Sequence, residues 1–376
     1  MKKLVKFLLE SNVISAGIKT NNNFLKTEDI INGAVVRAAF ANDILPECEY
    51  AEEKINGKQY WLSEREPETH PYCAECRHKD ICKKFSDMSF SFLVPENSIP
   101  APFTAKMCKS CGTAHPVMDT IMDNGALKCS VCGGRMENLK GIIDKDTYES
   151  VRVRHSITTH TSINSNSRTA ADGSLFSIEA IRKGQIYQCE IDDCDTGMIY
   201  EGKTIYTGKY SSAGFGKLRI ISVNDIKKHD VPEAVRKFND KFSENDEKEY
   251  ASILFLSSAK LDIDSCGSKP LTTEEYKKIW QKRLFGENAP IKAEQVYAQN
   301  IPYHGFDTSE YYNKNYSRTD ILTEAGSSVK VSFEKGGAEA VSFLENLEEK
   351  GIGRDTNVGY GKILVCADIH MIGIGG

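Results

Sequence analysis

Two ten-residue stretches, Gly208–Lys217 (GKYSSAGFGK) and Gly353–Lys362 (GRDTNVGYGK), follow one pattern of glycine, basic residue, four variable residues, glycine, aromatic residue, glycine and lysine. Each stretch runs into alternating apolar residues, which begin with Leu218 after the first and with Ile363 after the second. Such alternation is typical of a half-buried β-strand. Two equivalent loops that each lead into a strand predict two equivalent domains.

The loops have a composition that suits phosphate. Glycine admits positive φ angles and has no side chain, so its amide can approach an anion closely, and the flanking lysine or arginine supplies charge. The pattern differs from the nucleotide-binding P-loop, because Lys217 and Lys362 are followed by leucine and isoleucine. It differs from the dinucleotide fingerprint, because a strand rather than a helix follows. An ordinary glycine-rich turn is the alternative for either loop alone.

The composition is that of a folded protein with room for two cores. The chain has 376 residues, of which 40% are hydrophobic and 27% are charged. No run of about 18 apolar residues occurs, and the start MKKLVKFLLE is charged too early for a secretory signal. We therefore expect a cytoplasmic protein without membrane partners. The net charge of -5 means that nucleic-acid contacts would depend on local basic patches.

Four of the twelve cysteines form two Cys-x-x-Cys pairs, Cys108 with Cys111 and Cys129 with Cys132. This is the spacing of a zinc ribbon. Each pair places two thiolates on one side of a tight bend, and the glycine that follows lets backbone amides turn toward sulfur. Four thiolates leave zinc no open position, so we predict a structural zinc site. Disulfides are the alternative, which a reducing compartment disfavours.

A second group of cysteines, Cys73, Cys76 and Cys82, lies close together in the sequence. Three thiolates this near one another usually share a metal. Cys48, His70 and His78 are the possible fourth ligands, and we predict a second zinc site with Cys48 in that position. An iron–sulfur cluster and unligated buried thiols are the alternatives.

The order of predicted elements divides the chain into an N-terminal domain at 1–222, a charged linker at 223–250 and a C-terminal domain at 251–376. Residues 66–140 are expected to form a metal-stapled insertion in the first domain. In the second domain, the spacing predicts helices over 273–284 and 337–350. A strand, a helix, further strands, a helix and a glycine loop before the last strand are compatible with a βαββαβ ferredoxin-like unit. The predicted class is thus α+β, with two such domains in tandem.

Three further segments carry a family resemblance. Ile31–Ala41 (INGAVVRAAFA) is similar to the early stretch of the RAMP superfamily of CRISPR effector proteins, usually Ile-Pro-Gly-Ser-x-Leu-Arg-Gly, with asparagine in place of proline and alanine in place of the second glycine. Arg154–Phe176 with Lys183–Gln185 is similar to the central block of that family, and Ala325–Val329 to the motif before its last helix. Domains of this family are modified ferredoxin-like, RRM-like folds with such a glycine-rich loop. The resemblance covers nearly the whole chain.

Two fused domains with cysteine knuckles in the first resemble most the two-domain subunit of type III-D CRISPR effectors that caps the 5′ handle of the guide RNA. The resemblance implies a non-catalytic RNA-binding subunit in antiviral defence. Such a subunit would hold the repeat-derived 5′ end of the CRISPR RNA, contact the large polymerase-like subunit and start the filament of neighbouring RAMP subunits.

Three other functions remain open. A crRNA-processing endoribonuclease would use His155, His160 and Lys183 in general acid–base catalysis of the 2′-hydroxyl. A backbone subunit that cuts target RNA would use an acidic residue, for which Asp144, Asp146 and Asp172 are the candidates. A zinc-ribbon adaptor that binds only protein would leave the paired glycine loops unexplained.

The candidate RNA contacts are basic, aromatic and glycine residues, because single-stranded RNA is held by cations and amides at its phosphates and by aromatic rings at its bases. At the loops they are Lys209, Gly214, Phe215, Gly216, Lys217, Gly353, Arg354, Gly359, Tyr360, Gly361 and Lys362. Core packing is the alternative for the two aromatic residues. We expect replacement of Gly353 and Gly359 by alanine to weaken RNA binding while the fold survives.

A second set of candidates lies earlier in the chain. Residues 149–157 are predicted to form a strand and 158–168 a polar loop. The candidates there are Arg152, Arg154, His155, His160 and Arg168, with a solvated strand face as the alternative. Arg37 belongs to an otherwise apolar predicted helix, and we expect it to face RNA.

Overall fold

The computed structural model describes residues 2–15, 18–20, 24–44, 75–122, 128–163, 170–242, 247–261, 272–305 and 318–372. Within these ranges the α-helices are α1 (Gly33–Ala41), α2 (Lys79–Phe85), α3 (Val231–Phe242), α4 (Thr273–Leu284) and α5 (Ala338–Lys350). The chain is a mixture of helices and strands, which agrees with the predicted α+β class. The helix predicted over 273–284 is confirmed, and the one predicted over 337–350 begins one residue later.

The strands fall into two sets along the chain. In the first half they are β1 (Lys2–Leu9), β2 (Ile18–Thr20), β3 (Phe24–Lys26), β4 (Ser89–Phe90), β5 (Val94–Pro95), β6 (Ser98–Pro100), β7 (Ala105–Cys108), β8 (Met118–Asp119), β9 (Met136–Asn138), β10 (Ile142–Asp144), β11 (His155–Ile163) and β12 (Ala170–Ile181). They continue as β13 (Ile186–Asp192), β14 (Thr204–Tyr206), β15 (Lys217–Asp225), β16 (Lys248–Phe255), β17 (Ala259–Lys260), β18 (Lys292–Tyr297), β19 (Asn300–Gly305), β20 (Arg318–Thr323), β21 (Ser328–Glu334) and β22 (Ile363–Val365).

The chain divides into two compact units. The first comprises Met1–Glu96, Arg152–Ile226 and Asn357–Gly359, and the second comprises Asn97–Val151, Lys227–Thr356 and Tyr360–Gly376. The cysteine knuckles, which the sequence placed in the first domain, therefore group with the second unit. So does α3, which lies in the predicted linker, because one face of this helix is apolar and buried.

The first unit is built on an antiparallel sheet with the strand order β14-β15-β1-β13-β4, and β5 also pairs with β13. Alternate residues of β1 and β15 are buried, among them Phe7 and Leu218, and they pack with Phe40 of α1 and Phe85 of α2. Period-two burial is the pattern of a sheet that covers one core. Asn32, which stands where the RAMP motif has proline, caps α1 by accepting the Ala34 amide at 2.8 Å.

A long hairpin of β11 and β12 also belongs to the first unit, where β12 pairs in parallel with β3. The strand predicted over 149–157 was wrong in its bounds, since β11 begins at His155 and continues through Ile163. Residues 158–163 of the predicted polar loop are thus strand, and 164–168 lie outside the described residues. The threonines of β11 are β-branched, and pairing with β12 satisfies their backbone groups, so tertiary pairing overrides the polar composition.

The second unit has an antiparallel sheet with the strand order β18-β21-β16-β22. Both faces of β16, one of its two central strands, are buried. Ile253 packs with residues of three helices, Phe238, Trp280 and Leu344. Leu254 on the other face packs with residues of the segment that carries the cysteine knuckles, Ala101, Leu139 and Ile143. A strand that is buried on both faces reads as the continuous apolar run seen here, ASILFL. This packing is the reason that the knuckles belong to the second unit.

The buried imidazole of His370 makes the second unit sensitive to acid. Its Nε2 lies 3.2 Å from Ser328 Oγ, and its Nδ1 has no hydrogen-bond partner among the described residues. Burial lowers the pKa of His370, and the charge of Asp119 opposes this only in part. An unfolded imidazole titrates near its ordinary pKa of about 6.5, so the stability contributed by the neutral side chain is present above that pH and is lost as the pH falls below it.

We therefore expect the thermal midpoint of the protein to fall between about pH 6.5 and pH 5, and the fall to be smaller for His370→Gln. The control is His229→Gln. Glu348 accepts a hydrogen bond from His229 and raises the pKa of that imidazole, so the pair stabilises the fold at low pH and its removal should steepen the loss. Equal pH slopes for wild type and His370→Gln, measured by circular dichroism melts, would contradict the prediction.

Candidate nucleic-acid interface and metal centre

The two glycine loops begin in the same way. Gly208 and Gly353, the first glycines of the repeat, have φ angles of 80° and 91°. The amide of the next residue donates to the carbonyl of Ile14 in the first loop (3.2 Å) and of Lys260 in the second (3.0 Å). A short 3-10 turn follows in each loop, at Ser211–Ala213 and at Thr356–Val358.

The loops also close in the same way. The amide of the last glycine donates to a backbone carbonyl, and the amide of the following lysine donates to a serine hydroxyl. The pairs are Gly216 with Asn12 (2.8 Å), Lys217 with Ser11 (2.8 Å), Gly361 with Ser258 (2.9 Å) and Lys362 with Ser257 (2.9 Å). The sequence repeat is thus a repeat of backbone structure. Because these amides bind the chain itself, they are not available to a phosphate at the loops.

Most loop glycines lie against other parts of the backbone. A Cβ at Gly353 would lie 2.5 Å from the carbonyl oxygen of Lys260, and one at Gly359 would lie 2.7 Å from the amide nitrogen of Phe92. Both glycines also have φ angles near +90°. The expectation that alanine at these positions leaves the fold intact is therefore corrected: both substitutions would strain it. Gly214 alone among the candidate glycines has open space around its Cβ position.

The two aromatic residues of the repeat are packed rather than open. Tyr360 is 4% exposed, and the Lys260 ammonium lies 4.4 Å from the centre of its ring. Phe215 is half-buried against a small apolar cluster with Ile14 and Ile178. Core packing, the alternative to base stacking, describes Tyr360 in this structure.

Exposed aromatic rings lie instead at positions that the repeat pattern does not specify. Tyr206 in β14 is 51% exposed, and Tyr210 in the first loop is 48% exposed. Tyr206 pairs across the sheet with Lys217, and Thr204 pairs with Arg219, so these side chains point away from the core that contains Leu218. We call Tyr206, Lys209, Tyr210, Lys217 and Arg219 the tyrosine surface. In the sequence, the alternation of Tyr206 with the apolar Ile205 indicates an exposed ring. The repeat pattern does not indicate Tyr210, because this residue stands at a variable position of the repeat.

The tyrosine surface is basic. Lys217 and Arg219 both contact Glu10, at 2.9 Å and 2.7 Å, and Lys209 is exposed. The hydrogen bond from Lys217, and to a lesser extent the one from Arg219, lowers the pKa of Glu10. The hydrogen bond to Glu10 raises the pKa of Lys217. Two of the three cations thus pair with one carboxylate, and Lys209 remains exposed.

The second loop is closer to neutral. Its Arg354 lies 3.5 Å from Asp320, and Lys260 pairs with Asp355. Lys362 is half-buried. The two loops therefore have the same backbone conformation but differ in the charge and the aromatic area that they expose.

Arg37 is held within its own unit. Its guanidinium carbon lies 5.3 Å from the centre of the Phe85 ring, and its Nε is buried without a hydrogen-bond partner in the part of the chain that the structure describes. Burial lowers the pKa of Arg37. The side chain stacks on an aromatic ring and is not an open cation on a helix face.

The arginines of the second candidate set lie just before the hairpin. Arg152 and Arg154 are exposed, and the backbone of Arg154 exchanges hydrogen bonds with the Gln185 side chain at 2.8 Å and 3.0 Å. This contact joins two segments that both belong to the central RAMP-like block. Arg168 lies outside the described residues.

The two candidate histidines lie on opposite faces of β11, because they are five residues apart in a strand of regular register. His155 Nε2 lies 2.8 Å from Asp29 Oδ1. His160 Nε2 lies 3.0 Å from the Thr158 hydroxyl, and the ring stacks on Phe176 at 5.4 Å. The structure therefore does not bring the two imidazoles together.

The four cysteines of the zinc-ribbon pattern come together in space. β7 ends at Cys108, whose Sγ lies 3.6 Å from Cys132 Sγ. Two sulfurs on a tetrahedral zinc with bonds of about 2.3 Å would be about 3.8 Å apart. The glycines after the two pairs, Gly112 and Gly133, have φ angles of 58° and 68° and donate to the carbonyls of Cys108 and Cys129, both at 2.8 Å. The two knuckles are thus alike.

Backbone amides prepare two of the thiols to ionise. The amide of Cys111 lowers the pKa of Cys108 to about 7, and the amide of Cys132 lowers the pKa of Cys129. Burial raises the pKa of Cys111. Four thiolates would repel one another without a cation, and a divalent metal removes that conflict. These residues fit zinc, which they would hold for a structural purpose.

A histidine that the sequence pattern did not indicate joins this centre. Cys108, Cys111, Cys132 and His115 each offer a ligand atom, and these atoms lie within 4.8 Å of one another. His115 Nδ1 also lies 3.2 Å from Cys129 Sγ. The two cysteine pairs already complete a four-ligand pattern, so spacing gave no reason to look for a fifth donor.

The second predicted metal site has no support in the structure. Cys48 and Cys73 lie outside the described residues. Cys76 and Cys82 are described, but the described residues form no further cluster of three or more possible ligands beside the one at Cys108. In the same ranges, no helix has the length and apolar character needed to cross a membrane.

No protein-family model matches the sequence, and no curated protein is similar to it. Among solved structures, the chain is similar to one in Type III-B Cmr-beta bound to cognate target RNA and AMPPnP, with a TM-score of 0.43, 12% identity, and coverage of 94% of this chain and 90% of that chain. It is also similar to CRISPR associated protein Cas6, with a TM-score of 0.35, 8% identity, and coverage of 97% and 98%. Since both TM-scores are below 0.5, these similarities do not by themselves define a function.

Proposed function

We propose that this chain is an RNA-binding RAMP subunit of a type III CRISPR effector complex, most similar to type III-D, which holds the 5′ repeat-derived handle of the CRISPR RNA without cutting it. The observation that carries RNA binding is the tyrosine surface. Exposed rings beside cations on the outer face of a sheet are what single-stranded RNA needs, because rings stack on bases and cations contact phosphates.

Strand order supports two ferredoxin-like domains. In the second unit the chain runs β16, α4, β18, β21, α5 and β22, and the sheet order is fourth, first, third, second strand of this βαββαβ series. In the first unit, β1, α1, the broken strand formed by β4 and β5, then β13 and β15 follow the same order. The helix expected between β13 and β15 is replaced there by turns and β14, in residues that the structure fully describes.

The placement of acid–base groups supports a non-catalytic role. His155 and His160 lie on opposite faces of β11, so they cannot serve one 2′-hydroxyl as a pair. Asp144 accepts hydrogen bonds from the amides of Thr147 and Asp146 and from Asn97, which lowers the pKa of its carboxyl. That carboxylate organises a turn. The partners of this subunit would be the large polymerase-like subunit and neighbouring RAMP subunits, as the sequence resemblance implies.

The test of RNA binding is a double variant, Tyr206→Ala with Tyr210→Ala. We expect it to weaken binding of a single-stranded repeat RNA by about 10-fold or more, since stacking contributes about 1–3 kcal/mol per base. Fluorescence anisotropy at fixed salt would measure the change. The matched control, Tyr206→Phe with Tyr210→Phe, keeps both rings and should bind nearly as well as wild type.

Unchanged affinity in the alanine double variant, with an unchanged melting curve, would remove the tyrosine surface from the RNA interface. The same samples test the absence of catalysis, because the repeat RNA should stay intact on a denaturing gel. A shortened product with a 2′,3′-cyclic phosphate end would assign the protein to the processing endoribonucleases instead.

A further inference from the structure

The metal centre contains one protein donor more than a structural zinc ion uses. Structural zinc sites are almost always four-coordinate. Here the four cysteines and His115 lie around one point, with His115 among the mutually close group of Cys108, Cys111 and Cys132. Cys129 belongs to the same centre, because its Sγ contacts His115 at 3.2 Å and its knuckle mirrors that of Cys108.

Distances identify which two donors compete. Two ligand atoms at corners of a zinc tetrahedron, with Zn–S of about 2.3 Å and Zn–N of about 2.0 Å, would be about 3.5 Å apart. Cys129 Sγ and His115 Nδ1 are 3.2 Å apart, which is a hydrogen-bond separation. Because His115 rather than Cys129 completes the group of four ligand atoms that all lie within 4.8 Å of one another, these two atoms suit one corner that either group could fill, with the other group hydrogen-bonded to it.

We infer that Cys129 and His115 share the fourth zinc position, while Cys108, Cys111 and Cys132 hold the other three. When the Cys129 thiolate is the ligand, His115 donates its Nδ1 proton to that sulfur. When His115 is the ligand through Nδ1, its single proton is on Nε2 and Cys129 Sγ is a neutral thiol, so this exchange takes up one proton from solvent. The centre keeps its metal when the Cys129 thiolate is lost.

The site would then tolerate damage at one cysteine. Gly134 supports this assignment, since a Cβ there would lie 3.1 Å from Cys132 Sγ and 3.5 Å from Cys108 Sγ, so those two sulfurs are closely packed against backbone. Cys108 is fully buried. In the described residues, no histidine nitrogen lies at hydrogen-bond distance from Cys108 Sγ or Cys132 Sγ, whereas His115 Nδ1 lies at that distance from Cys129 Sγ.

The experiment compares zinc content in the full-length chain and its variants. Purified wild type, Cys129→Ser, His115→Gln, the double variant and Cys132→Ser would be assayed for zinc by mass spectrometry, and their cobalt-substituted forms for absorption. Cys132→Ser is the matched control, because it removes a thiolate from the same knuckle. We expect about one zinc per chain in wild type and in both single variants at positions 129 and 115. The double variant and Cys132→Ser should lose most of it.

Cobalt spectra identify the ligand that remains. The thiolate-to-cobalt charge-transfer band of Cys129→Ser should correspond to three sulfurs and one nitrogen, and that of His115→Gln to four sulfurs. Loss of zinc from Cys129→Ser to the level of Cys132→Ser would overturn the inference, and so would loss from His115→Gln. Full zinc retention in the double variant would also overturn it, because the fourth position would then need neither group. Circular dichroism of each variant shows whether a loss of metal reflects local ligation or global unfolding.

Discussion

Alanine in place of Gly361 should lower the free energy of unfolding by roughly 3–5 kcal/mol, because the position has a left-handed φ and no room for a methyl group. Its φ is 64°, and a Cβ would lie 1.8 Å from the carbonyl oxygen of Ile352. That carbonyl belongs to the residue whose amide donates to the Gly361 oxygen at 2.8 Å. The backbone must separate to admit the methyl group, so the loop closure opens. Urea denaturation followed by circular dichroism measures the effect.

The first loop gives both an equivalent and a control. Gly216 has the same geometry, with a φ of 77° and a Cβ position 1.8 Å from the Thr207 carbonyl oxygen, so Gly216→Ala should behave alike. Gly214 has a φ of 91° but nothing within 4 Å, and Gly214→Ala should lose only about 1 kcal/mol through backbone strain. A Gly361→Ala variant as stable as Gly214→Ala would show that the loop closure is not under this constraint.

This prediction changes the role assigned to the glycines. The loop composition indicated glycine amides that approach a phosphate closely, but the amides that close the loops bind carbonyl and hydroxyl oxygens of the chain. The glycines at 216 and 361 are required by close approach of two backbones. RNA affinity is therefore expected to depend on Tyr206 and Tyr210, and the closing glycines would act on it through the fold.

Metal removal should have an effect of similar size on the second unit. Among the residues that the structure describes, the apolar cluster around the metal centre has three buried members, Cys108, Cys129 and Met136, of which two are expected ligands. Such a core is too small to order the knuckles alone, and structural zinc contributes an apparent 10–16 kcal/mol in isolated zinc fingers, as an order of magnitude. We expect chelation to lower the melting temperature by roughly 10 °C, which corresponds to a few kcal/mol in a unit of this size.

The same treatment should expose apolar surface. The segment that carries the knuckles covers one face of the second sheet through Ala101, Leu139 and Ile143, which pack with Leu254. Loosening this segment should increase the fluorescence of the dye ANS, and added zinc should reverse both changes, whereas added magnesium should not. An unchanged melt after zinc removal has been verified by metal assay would mean that the knuckles fold without metal.

Local patterns were sufficient for several features. The cysteine spacing indicated three of the four ligand atoms that the structure brings within 4.8 Å of one another, those of Cys108, Cys111 and Cys132, and apolar periodicity indicated α4 and α5 within one residue of their bounds. The duplicated loops predicted a shared backbone, which the matched hydrogen bonds at Gly216 and Gly361 display. The sequence signal for each of these features lies in residues close in sequence, because turns and helix faces involve near neighbours, whereas the bonds from Gly216 to Asn12 and from Gly361 to Ser258 join distant residues.

Other features depend on partners far along the chain. The polar run after Thr158 became strand because β12 pairs with it, and Tyr360 became a core residue because Lys260 and its surroundings cover it. His115 joined the metal centre only when the knuckles folded toward it. No local pattern contains this information.

The sequence by itself determined the repeated glycine loops, helices α4 and α5, and the two cysteine knuckles, since backbone constraints of these kinds are expressed in nearby residues. Tertiary structure alone decided that the knuckles pack on the second sheet, that the amides which close the loops bind the chain itself, and that Tyr206 presents an exposed ring beside Lys217. The physical reason is that burial and cross-strand pairing are properties of residues brought together from distant positions, and they decide which of the available side chains remain exposed.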